Sequence, residues 1–268
     1  MLCSIWSLVH PHGSIMNNKY LLISLLLSAS TFANTFKADD FIIEYDADVP
    51  ITVVEQLASR VSENKKIVKA YLSQSEEYNG TPIQEDLVVF ISKKRRTPYQ
   101  DWNTIHIPEK RILSAFSSAE SENSGMAVIH ELTHVYAVSD FRKKKKNGYE
   151  DRFFDDGLAV FLQHRFGESP EYPDFGQDLY RAVAETSVSY GGLIPLTESE
   201  NVRHSAKTGT GRRLAYLQEG AFTQFLIENY GLDQYLKIYA GANIQAVTGK
   251  SFSELENDWT ALISSFEP

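Results

Sequence analysis

The sequence predicts an α+β domain, and three observations predict it. Apolar runs of strand length fall before residue 117, apolar residues at helical spacing dominate after Pro173, and no internal repeat or low-complexity linker divides the chain. Strands that come first, rather than alternating with helices, belong to the α+β class. The expected arrangement is an N-terminal lobe with a small mixed sheet, about residues 38–150, and a mostly helical C-terminal lobe, about residues 151–268. A functional site is expected where the lobes meet.

Residues 1–33 read as a leader. Residues 20–29 are mostly apolar, Lys19 precedes them, and Thr31 and Ala33 are small residues at −3 and −1 of a cut after Ala33. The run is shorter than the about 20 apolar residues of a transmembrane helix. A signal peptide starting at Met16 has ordinary proportions and makes residues 1–15 an upstream extension. The sole cysteine, Cys3, falls in this leader, so the mature chain has no thiol. Export without disulfides fits a bacterial periplasmic or secreted protein. The mature chain has no transmembrane segment by this reading. With 26 Lys and Arg against 35 Asp and Glu, the net charge of −9 argues against nucleic acid or anionic lipid as a main partner.

In the mature chain, Phe41 to Tyr45 reads as a first strand. Thr52 and Glu55 have the spacing of a capping box and open a helix with apolar positions at Leu57, Val61, Ile67, Val68 and Tyr71. Asp86 to Ser92 is a buried strand. Thr104 to Ile107 and Arg111 to Phe116 are two further short strands, joined by Pro108-Glu109-Lys110. Two helices follow, around residues 126–138 and from Phe153 onward. Arg213 to Tyr230 carries an apolar stripe of Leu214, Leu217, Ala221, Phe225 and Leu226, with Gly231 placed as its stop. The last helix pairs a Ser251/Glu254 capping box with a stripe of Phe252, Leu255, Trp259, Leu262 and Phe266. The basic run Arg142 to Lys146 reads as a solvated loop between the two middle helices, because like charges repel. Lys207 to Arg212 reads as a flexible loop.

The chemistry is concentrated in His130-Glu131-Leu132-Thr133-His134. HExxH on a helix puts two imidazoles at i and i+4 on one face, where both can bind one Zn²⁺, with the glutamate beside them as general base. Apolar flanks, Met126 to Ile129 and Val135 to Val138, mark the helix as buried. Such a run does not normally admit two histidines and a glutamate without something to satisfy them. A catalytic zinc needs a third protein ligand. It is expected from Phe153-Phe154-Asp155-Asp156-Gly157-Leu158-Ala159, which starts a second helix, with 21 residues separating His134 from Asp156. Asp156 is expected to reach the metal, and Asp155 to cap the helix or stand behind the ligands. Gly157 and Ala159 are small where this helix would approach the metal-bearing one. His106 and His164 read as structural.

HELTH followed by aromatic-x-x-acid-Gly-Leu-Ala resembles the gluzincin metallopeptidases of the peptidase MA-like group, whose second segment reads W-x-x-E-G-x-A. Phe153 falls at the tryptophan and Asp156 at the zinc-binding glutamate; aspartate is one methylene shorter, so its helix must come closer. The segments Gly192 to Leu196, Ala215 to Phe222, Tyr230-Gly231 and Ser251 to Leu255 running to Trp259 are similar to later segments of that group. The resemblance spans about Phe41 to Phe266. It implies a zincin-like domain over residues 34–268 and a zinc-dependent hydrolase of peptide bonds, with His130, His134 and Asp156 as ligands and Glu131 as base. Its substrate would be a peptide or protein, cell-wall peptide included, added as a strand along Arg111 to Phe116. The family often sets a tyrosine or histidine opposite the metal. Tyr216 is then either the donor to the developing oxyanion, with Gly220 leaving space at the cleft, or an ordinary interlobe tyrosine. His204 is the next candidate. The alternative is a non-catalytic zincin-fold binding module, suggested by the aspartate.

Overall fold

The computed structural model describes residues 34–78, 80, 87–116, 125–142, 152–167, 178–206 and 209–266. The expected leader and most of the basic run lie outside these residues. Five strands, β1 (Asn34–Lys37), β2 (Phe41–Tyr45), β3 (Leu87–Ser92), β4 (Tyr99–Asp101) and β5 (Thr104–Pro108), form one mixed sheet in the order β1-β2-β3-β5-β4. β2, β3 and β5 run parallel, while β1 and β4 close the edges antiparallel. The central strands bury Ile43, Val89, Ile91, Ile105 and Ile107. Helix α1 (Ile51–Leu72) supplies the crossover from β2 to β3, as a parallel pair requires.

Two local expectations fail in this lobe. Pro50, not Thr52, caps α1, and no side-chain capping bond is made, so Thr52 lies inside the first turn and Glu55 just beyond it. Proline's fixed φ suits the start of a helix. Residues Glu109–Phe116 form a helix, α2, rather than a strand. Glu109, Lys110 and Arg111 are good helix formers, and Ile112, Ala115 and Phe116 share one face at i, i+3 and i+4. The strand at the sheet edge is instead β4.

The rest is helical: α3 (Val128–Arg142), α4 (Arg152–Phe166), α5 (Leu179–Tyr190), α6 (Ser199–Ser205), α7 (Thr210–Tyr230), α8 (Leu232–Tyr239), α9 (Ile244–Thr248) and α10 (Phe252–Ser264). α4 packs between α3 and α7, and α7 also carries α5 and α6. Gly157 lies against α7, not α3: a Cβ there would come within 2.5 Å of Thr223 Oγ1 and 2.7 Å of the Glu219 carbonyl. Gly220 answers it from α7, where a Cβ would meet Val160 Cγ1 at 2.5 Å, so it permits close helix packing and leaves no space at a cleft. The expected Ser251/Glu254 capping box is present, and Gly231 (φ 85°) stops α7. Phe153, Phe222, Phe252 and Trp259 pack into one aromatic cluster behind the site.

Candidate metal centre

Helix α3 starts from a strained turn. Ala127 takes a left-handed conformation (φ 52°) that costs a non-glycine residue roughly 1–3 kcal/mol, and its carbonyl accepts the Glu131 N–H at 3.0 Å. Arg111 of α2 holds this turn, donating to the carbonyls of Gly125 and, at 3.0 Å, Arg96. From there α3 carries His130 and His134 one turn apart, with their rings edge to face at 4.8 Å.

His130, His134 and Asp156 come together. Their Nε2 atoms lie 3.1 Å apart, and Asp156 Oδ1 is 3.7 Å from His130 Nε2 and 3.4 Å from His134 Nε2. Ligands at the usual zinc distances in a tetrahedral site stand about 3.3 Å from one another, so all three edges fit. The second imidazole nitrogen fixes the ring: His134 Nδ1 donates to Asp155 Oδ1 at 3.0 Å, which turns Nε2 inward as the coordinating atom. Tyr239 of α8 donates to the same carboxylate oxygen at 2.9 Å. Asp155 therefore stands behind a ligand instead of capping α4, which begins at Arg152. Burial lowers the His134 pKa, but the Asp155 and Asp156 carboxylates outweigh it and carry it up to about 10.

The outer oxygen of Asp156 is held by Arg203, a residue that sequence reasoning passed over in favour of its neighbour. His204 is exposed on α6, whereas Arg203 is 2 % exposed. Its guanidinium donates to Asp156 Oδ2 and, through Nε at 3.2 Å, to Glu219 Oε1, which also accepts from Ser199 Oγ at 2.9 Å. Burial pushes Asp156 up, but the hydrogen bonds from His130 and His134 and the charge of Arg203 hold it well below the usual carboxylate range. Glu219 goes the other way: it is fully buried, its Oε2 has no partner among the described residues, and burial lifts it well above that range despite Arg203. The sequence hinted only at Glu219, a charge inside an otherwise apolar helical stretch, and gave no sign of Arg203.

Glu131 is buried beside the histidines, and burial raises its pKa against the opposing pull of His130 and His134. With His130 and Tyr216 it lines two adjoining hollows of about 470 and 240 Å³. Tyr99 and Gln100 of β4 form part of the smaller one. The Tyr216 ring meets that of His130 at 6.4 Å, and its hydroxyl accepts from Arg212 Nη2 at 3.1 Å. Burial and the Asp156 charge push the phenol up to about 12, so it keeps its proton at neutral pH. His106 stacks on Tyr99 at 4.3 Å in the sheet, and His164 is half-buried late in α4; neither joins the group. No family model matches this sequence, and no curated protein is similar enough to count as a relative.

Proposed function

We propose that the protein is an exported zinc-dependent peptidase of gluzincin type that hydrolyses peptide bonds. The observation that carries this reading is the convergence of His130 Nε2, His134 Nε2 and Asp156 Oδ1, with edges of 3.1, 3.4 and 3.7 Å, beside a buried glutamate at an open cleft. Zinc held by these three atoms would act as a Lewis acid that eases deprotonation of water and polarises a carbonyl. Every other part belongs to the chain. Glu131 takes the proton of the attacking water on its carboxylate and returns it to the departing amine nitrogen; its raised pKa makes it a stronger base than a solvated glutamate. Tyr216 donates its O–H toward the oxygen on which charge develops. Asp155 keeps His134 in the coordinating tautomer, and Arg203 keeps one Asp156 oxygen turned away so that the other faces the histidines. β4, the edge strand at the smaller hollow, is where an extended peptide would add its own strand.

A second reading, a zincin-fold binding module without catalysis, is favoured by one observation: Asp156 is already satisfied on one side by a buried arginine. One experiment separates the two. The purified chain is assayed for bound zinc and for cleavage of a mixed peptide library, with and without chelator. Cleavage that chelator abolishes and zinc restores supports the peptidase. Bound zinc with no cleavage supports the binding module, and a chain that takes up no zinc overturns both.

A further inference from the structure

The cleft holds a cation that no carboxylate pairs with among the described residues. Arg212 is half-buried in the first turn of α7 and lines both hollows. One amino group donates to the Arg203 carbonyl and the other, at 3.1 Å, to the Tyr216 hydroxyl; no carboxylate pairs with it among the described residues. Arg203 is the contrast, with Asp156, Glu200 and Glu219 around it. Of the five N–H groups of the Arg212 guanidinium these contacts use two, and a partly desolvated charge without a counter-charge is unfavourable until an anion joins it. The larger hollow sets three arginines, Arg111, Arg212 and Arg213, against a single carboxylate, Glu131, in a chain whose net charge is −9. The smaller hollow instead balances Arg152, Arg203 and Arg212 with Glu131, Asp155 and Asp156, so the anion is expected on the side of Arg212 that faces the larger hollow, where a cleft focuses the field.

We propose that Arg212 selects peptides carrying a carboxylate near the scissile bond, gripping it with both edges of its fork. The scissile bond rests on the peptidase reading; the anion site does not. The Tyr216 ring stands 5.1 Å from the guanidinium and 6.4 Å from the His130 ring, so the recognised acid falls within about three to four residues of the cleaved bond.

The test is equilibrium binding to the full chain carrying Glu131→Gln, which blocks turnover. The probes are twin peptides that differ only in glutamate against glutamine, with that position moved along the sequence. The glutamate twin is expected to bind about tenfold more tightly at low salt, with the advantage shrinking as salt is added. Arg212→Gln should erase the preference, and Arg212→Lys should weaken it, because the charge remains but the fork is lost. Equal affinity for the twins, or a preference that survives Arg212→Gln in a chain that melts normally, overturns the proposal. Should Arg212→Gln melt lower, Arg212→Lys decides: a weakened preference supports the proposal and an unweakened one overturns it. Exposing the unaltered chain to the same twins tests the peptidase separately, since preference in binding without cleavage would sink that reading and leave the anion site standing.

Discussion

Among the described residues, two groups of three side chains bring their ligand atoms within 4.8 Å of one another, and they differ in what occupies the middle. Asp46, Asp48 and Glu109 surround Lys93 Nζ at 3.3, 2.6 and 3.9 Å, so this outer group carries its own cation. His130, His134 and Asp156 have their cation, Arg203, outside the triangle on the far oxygen of Asp156, and turn two imidazole nitrogens and one carboxylate oxygen toward a shared point. The outer group offers only hard oxygen ligands on a largely wet surface. The inner one mixes nitrogen and oxygen in a buried wall, a set suited to zinc. Acid count does not separate the two; the position of the internal cation does.

The largest effect expected of this difference is on turnover. Glu131→Gln keeps the three ligand atoms and removes the base, so peptide hydrolysis should fall by about 10²–10⁴ while zinc content stays the same. The matching change in the outer group, Glu109→Gln, should leave both unchanged. Hydrolysis rates and metal analysis on the two variants check this, and a Glu131→Gln chain that works at the parent rate would break the assignment. Tyr216→Phe comes next. Losing one donor to the oxyanion typically costs about 10²–10³ in turnover with the metal still bound. A loss explained entirely by a lower melting temperature would return Tyr216 to the role of an interlobe tyrosine.

The inner group was legible because its pattern is local. Two histidines at i and i+4 and an acid near the start of the next helix need only helical geometry to be read. Arg203 was not legible, since its partners lie 47 residues upstream in Asp156 and 16 downstream in Glu219, and an arginine in Ser-Glu-Asn-Val-Arg-His-Ser looks solvated until the α4–α7 packing buries it. Gly220 misled for a related reason. A missing side chain reads equally as open space or as close approach, and only the partner helix decides. The two-lobe α+β order was readable from periodicity, whereas Arg111–Phe116 was not, because six residues of mixed character fit either period and tertiary packing chose the helix.

Zinc affinity gives a smaller but sharper comparison. Asp155→Ala removes the acceptor behind His134, and loss of such a partner costs about 10–100-fold in metal affinity. Asp156→Ala should cost more, and Asp48→Ala, in the outer group, nothing. Competition titrations with a chromophoric chelator measure all three. Equal affinities for Asp155→Ala and Asp48→Ala would show that the His134–Asp155 bond does not tune the site.

The smallest effect concerns a histidine on the same helix as Asp156 whose pKa moves the opposite way from that of His134. Burial drives the His164 pKa from 6.5 down to about 4, with Asp178 opposing only weakly, whereas the carboxylates around His134 carry that residue upward. Since His164 is neutral in the folded chain and readily protonated in the unfolded one, its contribution to stability is complete above pH 6.5. It is lost as pH falls through about 4. A shift of this size is worth on the order of 2–3 kcal/mol, or several degrees in melting temperature for a chain of this length. Melting curves of the parent and His164→Gln between pH 7 and 4 should therefore converge as the solution becomes acid, because the variant has no such proton to take up. Carboxylates titrate over this range equally in both chains, so the difference between the two curves isolates residue 164. Parallel curves would mean that His164 is protonated in the fold already, and that burial alone does not set histidine charge on this helix.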